Sequence, residues 1–336
     1  MKAKIETPTT AYVVDYPQAV EAAIQQQNIF WAAEKMGVLS DEQDFRTKMT
    51  AGELEATLLL QAILTQYELL IGGDEMWGGK ISKLFPRPEI QRMCSEFSHA
   101  ELCSHAPFYK EGNVALRRDT EEFYNSWQEN PVLANHIGFI DECAASDNPL
   151  LVTAALCFLE GVVLFSAFAY FKSFNTNGFN LIPHFVSGID ASAKDENFHA
   201  MGSAWLFNTC LNERIELGII NQEQLTDLCK QIDLIAEHTL AHEYAIIEEL
   251  FSHGNIRTIT EKDMKDFIND RIKVVYSYLN LPCPLKLESD GIISGWFYEN
   301  LSKFKYSDFF AATQVQYVKN WDKSKLTFKG EMNADV

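Results

Sequence analysis

The chain has 336 residues, 47% of them hydrophobic, and a formal net charge of −19 at pH 7. That share of apolar side chains is ample for a continuous core, whether in one large domain or two ordinary ones. The negative balance argues against direct binding to nucleic-acid phosphate or to an anionic membrane surface, since both draw on Lys and Arg.

Taken in chain order, helical periodicity runs over roughly 17–36, 51–72, 88–110, 118–129, 148–172, 190–215, 222–252 and 261–280. Almost nothing alternates as a strand would. Pro88 sits where a first-turn proline belongs and opens the third long helix, and the Gly-rich IGGDEMWGGK (71–80) before it reads as a loop. No repeat, low-complexity tract or linker divides the chain, so a single all-α domain over 1–321 is expected. The polar DKSKLTFKGEMNADV at 322–336 lacks an apolar face and reads as a flexible tail that folds on a partner.

The N-terminus lacks the apolar core of a signal peptide, and no uninterrupted apolar run reaches the ~18 residues of a membrane span. The stretch around 150–171 comes nearest, but Glu160 lies in its middle. Seven cysteines form no CxxC pair and no disulfide-like pattern, which suits a reducing cytoplasm.

Acidic residues inside apolar helices are the anomaly. Glu68 lies in ATLLLQAILTQYELLIGG and Glu160 in LLVTAALCFLEGVVLFSAFAYF. An ionised carboxylate there costs several kcal/mol unless it is paired, hydrogen-bonded or metal-bound. Two further helices carry a Glu closely followed by a His: Glu101 with His105, and Glu196 with His199. Separations of three and four turn side chains only ~60° and ~40° apart, so either spacing aims both groups one way.

The order is thus Glu, Glu-x3-His, Glu, Glu-x2-His, with 33 residues from Glu68 to Glu101 and 36 from Glu160 to Glu196. A lone Glu/His match arises by chance on solvated faces. Four helices each projecting a Glu, two of them adding a His, make up the ligand set of ferritin-like di-iron or di-manganese bundles. Carboxylates with two imidazoles suit Fe or Mn.

On NIFW (28–31), Glu68, PEI…FSHAE…HAPFY (88–109), FLEGVVLFSAF (158–168) and KDENFH (194–199), the chain resembles the small, radical-generating subunit of class I ribonucleotide reductase. Weaker likenesses continue through 243–251, 269–282 and 308–319. The resemblance implies a ferritin-like bundle with added helices. It assigns Glu68, Glu101 and His105 to one metal and Glu160, Glu196 and His199 to a second, with Glu101 and Glu196 bridging. It places the radical on Tyr109, the start of the electron path at Trp31, the linking carboxylate at Asp195, and Leu164, Phe168 and Ser192 around the radical. It further implies two Fe ions, or Mn, activated by dioxygen or superoxide. The partners it implies are a large catalytic subunit, which the tail would bind, a second copy in a homodimer, and an activating flavoprotein.

Three departures from the family pattern matter. Glu101 and His105 are four apart rather than three, and Ser104 stands in the usual ligand place. A π-bulge near 101–107 would absorb the extra residue, and Pro107, which cannot donate to the Cys103 carbonyl, fits one. Ser192 stands where an apolar residue is usual. No tyrosine follows Tyr317, so the family's tail tyrosine has no equivalent. His238 and His242 mimic a metal motif, but without a Glu directly after His238 they read as a solvated pair. A ferritin-like oxidase or desaturase acting on its own substrate is the main alternative, followed by iron storage and a metal-free scaffold.

Overall fold

The computed structural model describes residues 2–303, the last five by backbone alone. The expected tail at 322–336 and the Tyr317 motif lie outside the described residues. Helices and turns account for all regular structure among the described residues. The longer helices are α1 (Pro17–Ile29), α2 (Ala51–Gly72), α3 (Pro88–Ala100), α4 (Ala106–Ala115), α5 (Pro131–Ala145), α6 (Pro149–Phe158), α7 (Phe165–Ser173), α8 (Pro183–Glu216), α9 (Gln222–Ser252), α10 (Glu261–Tyr278) and α11 (Ile292–Lys303).

Local chemistry sets many of their starts. Proline stands in the first turn of α1, α3, α5, α6 and α8, where its missing N–H costs nothing. Reciprocal capping boxes start α2 at Thr50 and Glu53, α9 at Asn221 and Gln224, and α10 at Thr260 and Asp263.

The stretch Pro149–Ser173 forms the centre. It and Ala51–Leu84 are long and apolar enough to cross a membrane by length and composition, but the window within Pro149–Ser173 is 94% buried inside the protein. A helix apolar on all sides is what a core position demands. α8 runs along α6, α1 packs on α3, α2 meets α4, and α9 lies against α10.

Several boundaries differ from the periodicity. α1 stops at Ile29, and a short 3-10 turn at Ala33–Lys35 takes the place of its last turns. The segment 118–129 is two short turns rather than one helix. The 71–80 stretch is not wholly a loop, because Trp77–Ile81 winds into a π turn with Trp77 fully buried. Two of the longer helices go unpredicted, α5 and α11. In α5, Leu133, Ile137 and Ile140 do repeat at helical spacing and are buried, but Gly138 and the polar Asn135 and His136 dilute the pattern.

Candidate metal centre

α2 carries Glu68 near its C-terminal end, and α3 leads through a π turn at Glu101–His105 into α4. The turn falls where the extra residue predicts a distortion. A further π turn, Leu159–Val163, joins α6 to α7 and holds Glu160. Glu196 and His199 lie within α8. All six side chains are at most 1% exposed.

Their donor atoms form two overlapping groups, Glu68, Glu101, His105 and Glu196 in one, and Glu101, Glu160, Glu196 and His199 in the other. Within each group the atoms lie within 4.8 Å of one another. Glu101 and Glu196 belong to both. His105 Nδ1 lies 2.6 Å from Glu101 Oε2 and 2.9 Å from Glu196 Oε1, and His199 Nδ1 lies 2.5 Å from Glu101 Oε1. Yet both Nδ1 atoms, one oxygen of Glu68 and both oxygens of Glu101 and Glu196 lack a partner in hydrogen-bond geometry. Close approach without that geometry is how ligands around a shared cation sit, and buried polar atoms are seldom left so. The donor set therefore fits a pair of hard or borderline divalent ions.

The titration behaviour agrees. Burial, then the charges of Glu196 and Glu101, push the Glu68 carboxyl well above its ordinary range, and burial with Glu196 does the same to Glu160. Burial also opposes ionisation of Glu101, but His105 and His199 outweigh it and hold that carboxyl low. Burial disfavours protonated His199, yet Glu101 and Glu196 raise it to about 9. Four carboxylates so close cannot all ionise without cations among them.

The outward-facing nitrogens are also held. His105 Nε2 meets Asp195 Oδ2 at 3.0 Å, and Trp31 Nε1 donates to the same oxygen at 2.8 Å. The Trp31 and His105 rings stack with centroids 5.6 Å apart. Ser104, in the place where a ligand is usual, instead donates its hydroxyl to the Trp31 carbonyl.

Tyr109 is fully buried, and its hydroxyl lacks a hydrogen-bond partner. Ser192 faces that hydroxyl closely enough to lower its pKa somewhat, though the two miss hydrogen-bond geometry. Leu164 and Phe168 are buried in the same core, but the π turn intervenes between Glu160 and both, so their shared face is not that of a regular α-helix.

Two further residues escape a reading of the sequence. Gln26 donates to Asp195 Oδ1 at 3.3 Å and meets His199 Nε2 through its Oε1 at 3.2 Å, so one amide joins both sides of the cluster. Nothing in QQQ (25–27) marks its middle member. Trp77 donates its indole N–H to Glu160. A buried Trp needs an acceptor, but the burial of Trp77 is not visible in the Gly-rich sequence around it. The His238 and His242 rings stand 4.6 Å apart beside Phe139 in a cleft between α5 and α9, away from this cluster.

The family described as ribonucleotide reductase, small chain, matches residues 9–282. The chain belongs to that family. It is 23% identical to the probable ribonucleoside-diphosphate reductase small subunit 048L of Invertebrate iridescent virus 3, over 93% of this chain and 84% of that protein. Its fold is similar to that of the dimanganese(II) NrdF of Streptococcus sanguinis, with TM-score 0.70 and 16% identity over 85% of this chain and 96% of that one. An R2-like ligand-binding oxidase variant reconstituted aerobically with a Mn/Fe cofactor is also similar, with TM-score 0.63 and 16% identity over 79% and 94% of the two chains. As a small chain of ribonucleotide reductase, the protein is part of an oxidoreductase, and membership implies a large-subunit partner and the family's usual dimer. Its carboxylate and imidazole cluster has the donor groups for two metal ions.

Proposed function

We propose that Glu68, Glu101 and His105 hold one metal ion and Glu160, Glu196 and His199 the other, with Glu101 and Glu196 shared. Tyr109 then stores a radical that leaves by way of Trp31 to the large subunit, which reduces ribonucleotides to deoxyribonucleotides. The carrying observation is that the two donor groups share Glu101 and Glu196 while Asp195 bonds both His105 and Trp31. When bound, a pair of Fe or Mn ions supplies oxidising power drawn from dioxygen or superoxide.

The protein's own residues prepare the rest. Burial and the charge of Glu68 push the Tyr109 hydroxyl well above its ordinary pKa, so the resting side chain keeps its proton. It gives up one electron and that proton on becoming a radical. Leu164 and Phe168 shield it from water, and Ser192 is the polar neighbour. Asp195 fixes which His105 nitrogen faces the metal and orients the Trp31 ring against it.

We further propose a homodimer. Ile24, Phe30, Leu69 and Leu102 are large apolar side chains left exposed on α1, just after it, on α2 and in the adjoining π turn, and such side chains are available to a second copy. The tail at 322–336 reaches the large subunit, a flavoprotein serves activation, and the protein works in the cytoplasm without binding nucleic acid or membrane. All seven cysteines are free, which supports a reducing compartment.

Reconstitution of apoprotein with Fe(II) or Mn(II) and oxygen, followed by electron paramagnetic resonance of wild type and Tyr109→Phe, tests the reading. A tyrosyl signal lost in the variant supports it. No radical in any reconstitution, together with no nucleotide reduction by a matched large subunit, overturns it. An oxidase acting on its own substrate would share the six ligands but would have no use for the Trp31, Asp195 and His105 chain.

A further inference from the structure

Arg271 is fully buried in α10 and takes no part in the chemistry above. Its Nε donates to the Gly161 carbonyl at 2.7 Å, and its Nη2 donates to Asn197 Oδ1 at 3.3 Å. Gly161 directly follows Glu160, and Asn197 directly follows Glu196. One guanidinium therefore grips the turn bearing one proposed ligand and the side chain next to another. Its Nη1 donates to Tyr298 Oη at 3.2 Å, and the Tyr278 hydroxyl donates to the same Asn197 oxygen at 3.0 Å. The guanidinium carbon lies 3.8 Å from the centre of the Phe165 ring.

The local sequence makes this grip possible. A Cβ on residue 161 would come within 2.4 Å of Val275 Cγ2, so only glycine lets α10 lie directly on the Glu160 turn. That turn is a π turn, which carries one more residue than an α-turn and has no intrinsic preference for keeping it. An outside contact has to fix where the extra residue sits, and with it the direction of Glu160. A planar guanidinium with donors at set angles can define two acceptors at once, whereas an ammonium acts as a point donor. Burying a cation costs several kcal/mol before its bonds are counted, and an apolar side chain of like volume often serves packing as well or better. Core filling alone thus gives no reason for Arg at 271.

We propose that Arg271 is a positioning residue for the second metal ion. Its guanidinium sets the register of the Glu160 turn against Glu196, and Tyr298 ties this strut to α11, the last described helix. The inference rests on the dimetal reading above.

The test is Mn(II) titration of full-length apoprotein, followed by electron paramagnetic resonance, with circular dichroism and the metal-free melting temperature as controls on folding. Wild type takes up two ions per chain and gives a spin-coupled signal. In Arg271→Lys the first ion binds as in wild type, the second binds roughly tenfold more weakly, and the coupled signal gives way to that of isolated Mn(II). Tyr298→Phe shifts the second ion in the same direction by less. If Arg271→Lys does not fold, Asn197→Ser takes its place, since it deletes the arm toward Glu196 and leaves the arginine. Wild-type binding of both ions in the folded variant overturns the proposal, and so does equal weakening of both, which marks a general packing role. Failure of wild type itself to bind two ions overturns the dimetal reading and this inference with it.

Discussion

Trp77 donates its indole N–H to Oε1 of Glu160, a carboxylate 83 residues further along the chain. The bond works against burial and the nearby Glu196, which together drive the Glu160 carboxyl upward. Trp77→Phe keeps an aromatic ring against Phe97 but removes the donor. Glu160 then holds a proton more firmly, and affinity for the second ion falls roughly tenfold. Calorimetric titration with Mn(II) checks this, and an unchanged second binding step counts against it.

Asp195→Asn separates metal binding from radical export. Asp195 Oδ2 serves Trp31 Nε1 and His105 Nε2 together. An amide presents one oxygen and one NH2, so it cannot accept on both oxygens as the carboxylate does with Gln26, Trp31 and His105. Nucleotide reduction with the large subunit is expected to fall roughly 10- to 100-fold. The Tyr109 radical still forms, because the amide oxygen can still accept from His105 Nε2 and keep that ring turned to the metal. Activity assays beside radical counting on the same sample distinguish the two, and parallel loss of radical and activity would refute the separation.

Gly188 is a packing constraint on the same region. A Cβ there would lie 2.1 Å from Phe108 Cε2. Phe108 has little freedom to yield, since it stacks on Phe185 with centroids 4.7 Å apart and meets the Trp31 ring edge-on at 5.7 Å. Gly188→Ala should cost ~1–3 kcal/mol of stability by overpacking. It should also shift the Trp31 fluorescence, because Phe108 must move against that ring. A variant with the wild-type denaturation midpoint and emission spectrum would show that the ring relaxes freely.

Much of this centre could be read from the sequence because its cost is local. Glu68 and Glu160 interrupt apolar helices, and an isolated buried charge needs a remedy that can be sought elsewhere in the chain. The distortion at Glu101–His105 was equally legible, from one residue too many and Pro107 just after. Gln26, Trp77 and Arg271 were not, because each gains its role only from a partner far along the chain. Before folding, Gln26 is one of three glutamines on a helix that could face water. The two longer helices that went unpredicted failed for a different reason: α5 dilutes its apolar stripe with polar residues, and Ser294 and Gly295 interrupt that of α11.

The dependence of metal-free stability on pH supplies a last prediction. His199 rises from 6.5 to about 9 through Glu101 and Glu196, which outweigh its burial. A raised pKa means its contribution is complete below pH 6.5 and is lost as pH climbs through about 9. Glu68 and Glu160, raised well above 4.5, act in the same direction, since the unfolded chain releases their protons first. Glu101 and Glu196 are held low, so their contribution is lost only on acidification. Buried His136, lowered to about 3 by desolvation, destabilises the fold below pH 6.5 and leaves the window above it unaffected. Lys172 and Lys194, pushed down by burial, act the other way, but His105, His199, Glu68 and Glu160 outnumber them, so the metal-free melting temperature falls between pH 6.5 and 9. Metal binding must expel the protons on His105, His199, Glu68 and Glu160, so affinity rises over the same interval. Melting curves with and without Mn(II) across that range should diverge as pH increases, because ligand stabilisation grows with affinity. A gap that stays constant or narrows would mean that these protons are not displaced by the ions, and that the six side chains do not act together as their ligands.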